Sequence, residues 1–250
     1  MYLRFNVFIF LLLAVLNLQS SAQAFLESQP VGTSRDGVLV VYGSSGMNNN
    51  RIPYDRISGT PFWNNEYRTA TLVDPGNRVF GKMPVRLNLY TNEVYFKTPK
   101  GEERVASEGK VRKILFHPDD TSSAFTAVFE NELASIKTTN PNAKGTAYVQ
   151  VMNQGDLQLL KHIKRVFVTA DSLFGTMKRY YFSEQVHYYM NNKYGQTYRL
   201  KKLNREAVTE ELNLDKDEEE WIRTQGFSLR KEEEILLFLA YLNEKRKKRQ

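Results

Sequence analysis

The spacing of apolar residues changes once, near residue 205, and this change constrains the fold more than any other feature of the 250-residue chain. Before it, β-branched and aromatic residues alternate with polar ones over short runs broken by Gly, Asn, Asp and Pro, which is the spacing of half-buried strands. After it, apolar residues recur three and four apart, the spacing of a helix face. The division predicts a β-rich domain over residues 25–204 and a helical segment with a basic tail over 205–250. The expected architecture is mainly β, an antiparallel meander that curls into a sandwich or a partly closed barrel. Two or three C-terminal helices pack on an edge or an open end, giving α+β overall.

Within the β part, Val38-Leu39-Val40-Val41-Tyr42 opens the strands, and residues 47–63, with three Asn in a row and two Pro, read as loop. Residues 85–90 and 94–96 flank a turn at 91–93. Residues 148–152 and 157–163 flank Asn153-Gln154-Gly155-Asp156, and a further turn at 192–196 precedes Thr197-Tyr198-Arg199-Leu200. In the helical part, Asp215 followed by Glu218 has capping-box spacing, and Gly226 is placed to stop that helix. Ser228 is the expected N-cap of a last helix running to about Lys245, with Ile235, Leu236, Leu239 and Leu242 on one face.

The first 24 residues read as an export signal rather than as structure. Arg4 precedes the apolar run at 7–16, polar Gln19-Ser20-Ser21 follows, and Ala22-Gln23-Ala24 has the A-x-A form of a peptidase site, so cleavage after Ala24 is expected. The run is too short to span a bilayer, and no later stretch reaches the ~20 apolar residues that spanning needs. No transmembrane segment is therefore expected once the signal is removed. The chain has no Cys, which excludes disulfides, thiolate metal sites and a Cys nucleophile. An exported chain without Cys fits a bacterial periplasm or exterior better than a disulfide-forming secretory route.

No motif specifies a chemistry. The three His, at 117, 162 and 187, offer no i, i+4 pair for a metal, and His117-Pro118-Asp119-Asp120 reads as a strand-ending turn. The acidic run at 215–220 carries Glu220 where a calcium loop requires Gly, and acidic residues at a helix start are explained by the macrodipole. Residues 43–46, Gly-Ser-Ser-Gly, match neither a phosphate-binding loop nor a nucleophile elbow. No catalytic residue, cofactor or metal is expected.

Charge is unevenly divided. Lys and Arg exceed Asp and Glu by seven overall; residues 25–204 carry a net +8 and residues 205–250 a net −2. Basic positions of the β part lie close to aromatic ones, as in a surface that tracks an anion. The candidate partner or ligand surface comprises Trp63, Lys161, Arg165, Tyr180, Tyr188 and Arg199 in the β part, with Leu236 and Leu239 on the last helix. Outside the cytoplasm a glycan or a lipid headgroup suits such a surface better than nucleic acid, and no nucleic acid is expected.

Four stretches, 59–67 (Gly-Thr-Pro-Phe-Trp-Asn-Asn-Glu-Tyr), 83–97, 155–161 and Ala240-Tyr241-Leu242-Asn243, resemble a group of small exported β-rich proteins of Bacteroidota that has no assigned function. The resemblance carries no catalytic residue. It implies periplasmic or outer-membrane-associated placement, and O-glycosylation at Ser172 within Asp171-Ser172-Leu173. The combined expectation is a non-enzymatic envelope protein that binds or assembles with protein partners. The alternative is a glycan- or lipid-binding β module, with a carboxylate-based hydrolase behind both.

Overall fold

The computed structural model describes residues 38–42, 49–53, 56–118, 127–133, 136, 145–171, 178–192, 196–210 and 212–248. The export signal with Ala22 and Ala24, the connection at 43–46, the Asp pair after Pro118 and the turn holding Ser172 lie outside the described residues.

Alternation produces strands, but the loop expected over residues 47–63 contains two short ones, Asn49–Pro53 and Ile57–Ser58, held by pairing with Val38–Tyr42 and Lys178–Asn191 rather than by any alternation of their own. The strands are β1 (Val38–Tyr42), β2 (Asn49–Pro53), β3 (Ile57–Ser58), β4 (Arg68–Val73), β5 (Val79–Asn88), β6 (Glu93–Lys97), β7 (Glu103–Val105) and β8 (Lys113–Phe116). Then come β9 (Ala127–Glu130), β10 (Val149–Val151), β11 (Gln158–Asp171), β12 (Lys178–Asn191) and β13 (Thr197–Leu200). Three helices follow: α1 (Arg205–Thr209), α2 (Lys216–Gln225) and α3 (Glu232–Lys247).

β1 and β2 pair with each other, and the other strands form one eleven-stranded sheet in the order β13-β12-β11-β10-β9-β8-β4-β5-β6-β7. The order is two meanders rather than one. After β7 the chain returns across the sheet, where Arg112 N–H donates to Val73 O (2.7 Å), and lays β8 antiparallel on the free edge of β4. β3 pairs parallel with β12 at its far end, so the sheet is mixed. It curls without closing. The curl is clasped by Asn92, in the β5–β6 turn, whose side-chain amide donates to Thr146 O (2.8 Å) and accepts from Tyr148 N–H (3.0 Å). Asn92 sits at φ 62°, a left-handed conformation that Asn tolerates better than most residues.

The clasp encloses the first core. Ala70 and Leu72 of β4, Val85 and Leu87 of β5, Val94 and Phe96 of β6, Ile114 and Phe116 of β8, and Phe129 of β9 alternate inward. The second core lies under the helices, where Leu159, Met190 and Leu200 of β11–β13 meet Val208, Ile222, Ile235, Phe238, Leu239 and Leu242. The α2 signals behave as read. Asp215 and Glu218 exchange the two hydrogen bonds of a capping box, and Gly226 ends the helix at φ 67°.

The start of α3 differs from expectation, because Ser228 does not cap it. Leu229 takes a left-handed backbone at φ 53° and is fully buried, so the chain makes a further turn and the helix begins at Glu232 behind Lys231. The Glu234 carboxylate instead accepts from Leu229 N–H (2.7 Å) and from the Ser228 hydroxyl (3.0 Å). Glu232, Glu233 and Glu234 crowd the first turn, where the exposed N–H groups favour negative charge.

Candidate anion-binding face

β11 and β12 pair over fourteen residues each, from Gln158↔Asn191 to Asp171↔Lys178, making a hairpin about 46 Å long at ~3.3 Å per residue. Side chains of such a ladder alternate between two faces. One face carries Lys161, Ile163, Arg165 and Phe167 of β11 with Tyr188, Glu184, Phe182 and Tyr180 of β12; the other carries His162, Lys164, His187 and Tyr189.

On the first face the sequence candidates are occupied by structural contacts. Lys161 Nζ donates to Glu232 Oε1 (2.8 Å), and the Tyr188 hydroxyl donates to the same oxygen. Burial by itself would raise the Glu232 carboxyl, but the hydrogen bonds from Lys161 and Tyr188 outweigh it and hold the pKa below the ordinary value. The Tyr188 phenol is pushed up by burial and by that carboxylate. Arg165 pairs with Glu184 (2.8 Å), and the Tyr180 ring stacks on Phe167 at 6.0 Å. Elsewhere Trp63 packs at 4.6 Å from Phe116 and 5.2 Å from Phe129, half-buried against the first core. Leu239 has no exposed surface and Leu236 is half-buried against the second core, so both belong to the cap's own packing rather than to a free apolar face.

Arg199 is the sequence candidate that joins a cluster on the second face. Register sets His162 directly opposite His187, with ring centroids 6.5 Å apart. Lys164 follows two residues along β11, on the same side. Arg199 enters from β13 opposite Tyr189, and its Nη2 lies 3.1 Å from His187 Nδ1. A guanidinium only donates, so this Nδ1 is the acceptor and the His187 proton sits on Nε2. His162 is 4% exposed, and its Nδ1 is buried without a hydrogen-bond partner.

These groups work against one another's charge. Burial, then Lys164 and His187, bring the His162 imidazole down to about 4. Burial, then Arg199 and Lys164, lower His187, and burial with Arg199 lowers Lys164. Two facing His could suggest metal ligation, but the neighbouring cations oppose it: a further unit charge about 5 Å away costs roughly 3 kcal/mol at an effective dielectric of 20. The same field favours an anion. Among the described residues no group of three or more His, Asp or Glu is placed to hold a metal ion.

Sequence reading named Arg199 but treated the histidines as scattered. The missing signal was the pairing of 158–171 with 178–191, after which a two-residue period puts His162, Lys164, His187 and Arg199 on one side. A concave feature lies elsewhere, on α3. It is a shallow groove of about 510 Å³ lined by Ala240, Tyr241, Glu244, Lys245 and Lys248. Its Tyr241 ring is stacked on Trp221 at 4.4 Å, and Lys245 is held by Asp215 at 2.9 Å. No helix among the described residues is long and apolar enough to cross a membrane.

Comparison of the chain with models of known protein families, with curated proteins and with solved structures finds no match.

Proposed function

We propose that the chain is an exported, non-enzymatic binding subunit of the cell envelope, periplasmic or outer-membrane-associated, that engages a negatively charged partner through the His162–Arg199 face of its long hairpin. The observation that carries this reading is the gathering of His162, Lys164, His187 and Arg199 on one side of three adjacent strands. The N-terminal Arg4, the apolar run after it and the Ala22-Gln23-Ala24 site support export. The excess positive charge of residues 25–204 supports an acidic or anionic partner. Several carboxylates that could otherwise suggest hydrolysis have a stabilising role instead. Asp74 accepts from Arg78 N–H (2.8 Å) and Arg78 Nε (2.7 Å) across the β4–β5 turn, and Glu232 ties α3 to β11.

The test is a crosslinked, tagged pull-down of the mature protein from the envelope of its own organism, with Lys164→Glu/Arg199→Glu as the comparison. Deleting the chain from Arg230 onward would be uninformative, because Ile235, Phe238, Leu239 and Leu242 are fully buried and the cap would lose its core. Recovery of one defined set of envelope components, lost on charge reversal with the fold intact by circular dichroism, is the expected result. Equal recovery by wild type and variant, or recovery of nothing above background, would overturn the reading.

A further inference from the structure

We propose that the chain pairs with a second copy of itself through the open edge of β11, residues 165–171 of each copy running antiparallel so that the two sheets join into one.

The edge is defined by register. Met152 N–H donates to Leu159 O (2.9 Å), so Leu159 directs its main chain toward β10 and away from β12. Main-chain direction alternates along a strand, and the β11–β12 register runs without a bulge to Asp171. Arg165, Phe167, Thr169 and Asp171 therefore present their N–H and C=O groups on the same edge as Leu159. β10 covers that edge only at Leu160 and Lys161; past this point no strand lies beside β11 on this side among the described residues. The length left open from Arg165 onward is about 23 Å at ~3.3 Å per residue, which is a full strand.

Proteins blunt exposed edges with Pro, bulges, charge or brevity. The opposite edge of the sheet is blunted in this way, since β7 has three residues, two of them charged. The open part of β11 has none of these devices. It holds no Pro and no bulge, and Val166-Phe167-Val168 lies at its centre. Thr169 and Asp171 are exposed, and the residues between Arg165 and Thr169 are partly so.

The charges along this edge select a copy of the same edge. It opens on a cation, Arg165, and closes on an anion, Asp171, with only uncharged residues between them. An antiparallel copy in the register Arg165↔Asp171, Phe167↔Thr169 and Val168↔Val168 sets opposite charges against each other at both ends, whereas a parallel copy in register sets like charges together. Every hydrogen-bonded pair of this register falls on residues whose main chain points outward, giving about eight new bonds. Arg165 already gives Nη1 to Glu184 (2.8 Å), yet a guanidinium has further N–H groups for the Asp171 carboxylate of the second copy. The two-fold axis of this pairing stands perpendicular to the sheet, so the interface is isologous and the His162–Arg199 faces of both copies share one side.

The mature protein is followed over a range of concentrations by sedimentation velocity and by hydrogen exchange. The expected result is a reversible dimer in which the amides of Arg165, Phe167, Thr169 and Asp171 gain protection as concentration rises, while those of Val166, Val168 and Ala170 are protected throughout by β12. Thr169→Pro removes an outward N–H that takes no part in the β12 ladder, and should weaken the dimer at least tenfold with the fold intact by circular dichroism. Because the chain has no Cys, single thiols read the register. Val168→Cys should form an interchain disulfide on oxidation, since position 168 faces itself with Cα atoms about 4.5 Å apart. Val166→Cys should not, because its two copies stand about 13 Å apart along the strands. A monomer at every concentration, or outward amides protected within a monomer, would overturn the proposal. So would a dimer indifferent to Thr169→Pro, or crosslinking as ready through Val166→Cys as through Val168→Cys.

Discussion

The curled core of β4–β9 and the core beneath the three helices bury similar numbers of side chains, yet they are joined to the rest of the molecule by different means. The curled core is continuous with a ladder of main-chain hydrogen bonds running from β7 through β4 to β10. The helices meet the sheet through side chains. Asn243 bonds Leu157 on both its N–H (2.9 Å) and its C=O (2.9 Å), Glu232 receives Lys161 and Tyr188, and the rest is apolar contact. A ladder transmits strain along its whole length, whereas apolar contact with a few polar ties can part at its own surface. The difference predicts two units of unequal cooperativity within one sheet.

The largest effect that tests this contrast comes from the two buried phenylalanines. Phe238→Ala and Phe129→Ala each remove a fully buried ring and each should cost about 3–5 kcal/mol. Hydrogen exchange should then separate them. Phe238→Ala exposes amides of α1–α3 and the capped ends of β11–β13 while β4–β6 stay protected; Phe129→Ala exposes the curled strands. Identical exchange maps for the two variants would show a single cooperative unit.

Next in size is the pH dependence set by His162. Its folded pKa, about 4, lies below the ordinary value of 6.5, so between these values the unfolded chain binds the proton more tightly. Stability is therefore full above pH 6.5 and falls as pH drops toward 4, by about 3 kcal/mol at the limit. Urea midpoints at pH 7 and pH 4.5 should diverge in the wild type and diverge less in His162→Gln, where the lowered His117 and His187 keep a smaller dependence of the same sign. A helix-core variant such as Phe238→Ala should keep the full pH dependence, which separates the titrating face from the cap.

Smaller effects concern the ties themselves. Asn92→Gly keeps the left-handed turn but removes both bonds to the β10 approach, and should cost about 1–2 kcal/mol with the loss confined to the curled core. Asp215→Ala removes one half of a capping box and should cost about 1 kcal/mol, lost from the cap. Ser228→Ala should change thermal stability by less than about 0.5 kcal/mol, because its hydroxyl meets an exposed carboxylate and caps nothing.

Much of this division could be read from the sequence. The change of period near residue 205 marks where β13 gives way to α1, and local chemistry located the turns before β6, β11 and β13 as well as both ends of α2. These signals act over a few residues. The features that escaped detection depend on distant partners. The placement of β8 beside β4 is set by burial of Ile114 and Phe116 against Ala70 and Leu72, and alternation alone says nothing about which strand is neighbour to which. The start of α3 was misplaced because Leu229 is drawn into the second core at the expense of its backbone conformation, a tertiary demand that overrides the local capping preference of Ser228. The His162–His187 pair was hidden for the same reason, since the histidines stand twenty-five positions apart and meet only through the register of a fourteen-residue hairpin. Charged residues on the reverse face were misjudged in the opposite direction. Lys161, Arg165 and Tyr188 look available in the sequence, and their partners Glu232 and Glu184 become visible only in three dimensions.

The pair of hydrogen bonds between Asn243 and Leu157 also sets an order of events. The amide of a helix residue takes the place of a neighbouring strand at the start of β11, and Gly155, at φ 123°, lacks the Cβ that would collide with it. A ribosome delivers Leu157 eighty-six residues before Asn243, so for all of that interval the strand end waits unlatched, with Leu159, Met190 and Leu200 open to solvent. Closing that interval falls to α3, and a chain truncated before Asn243 would leave the strand end unlatched.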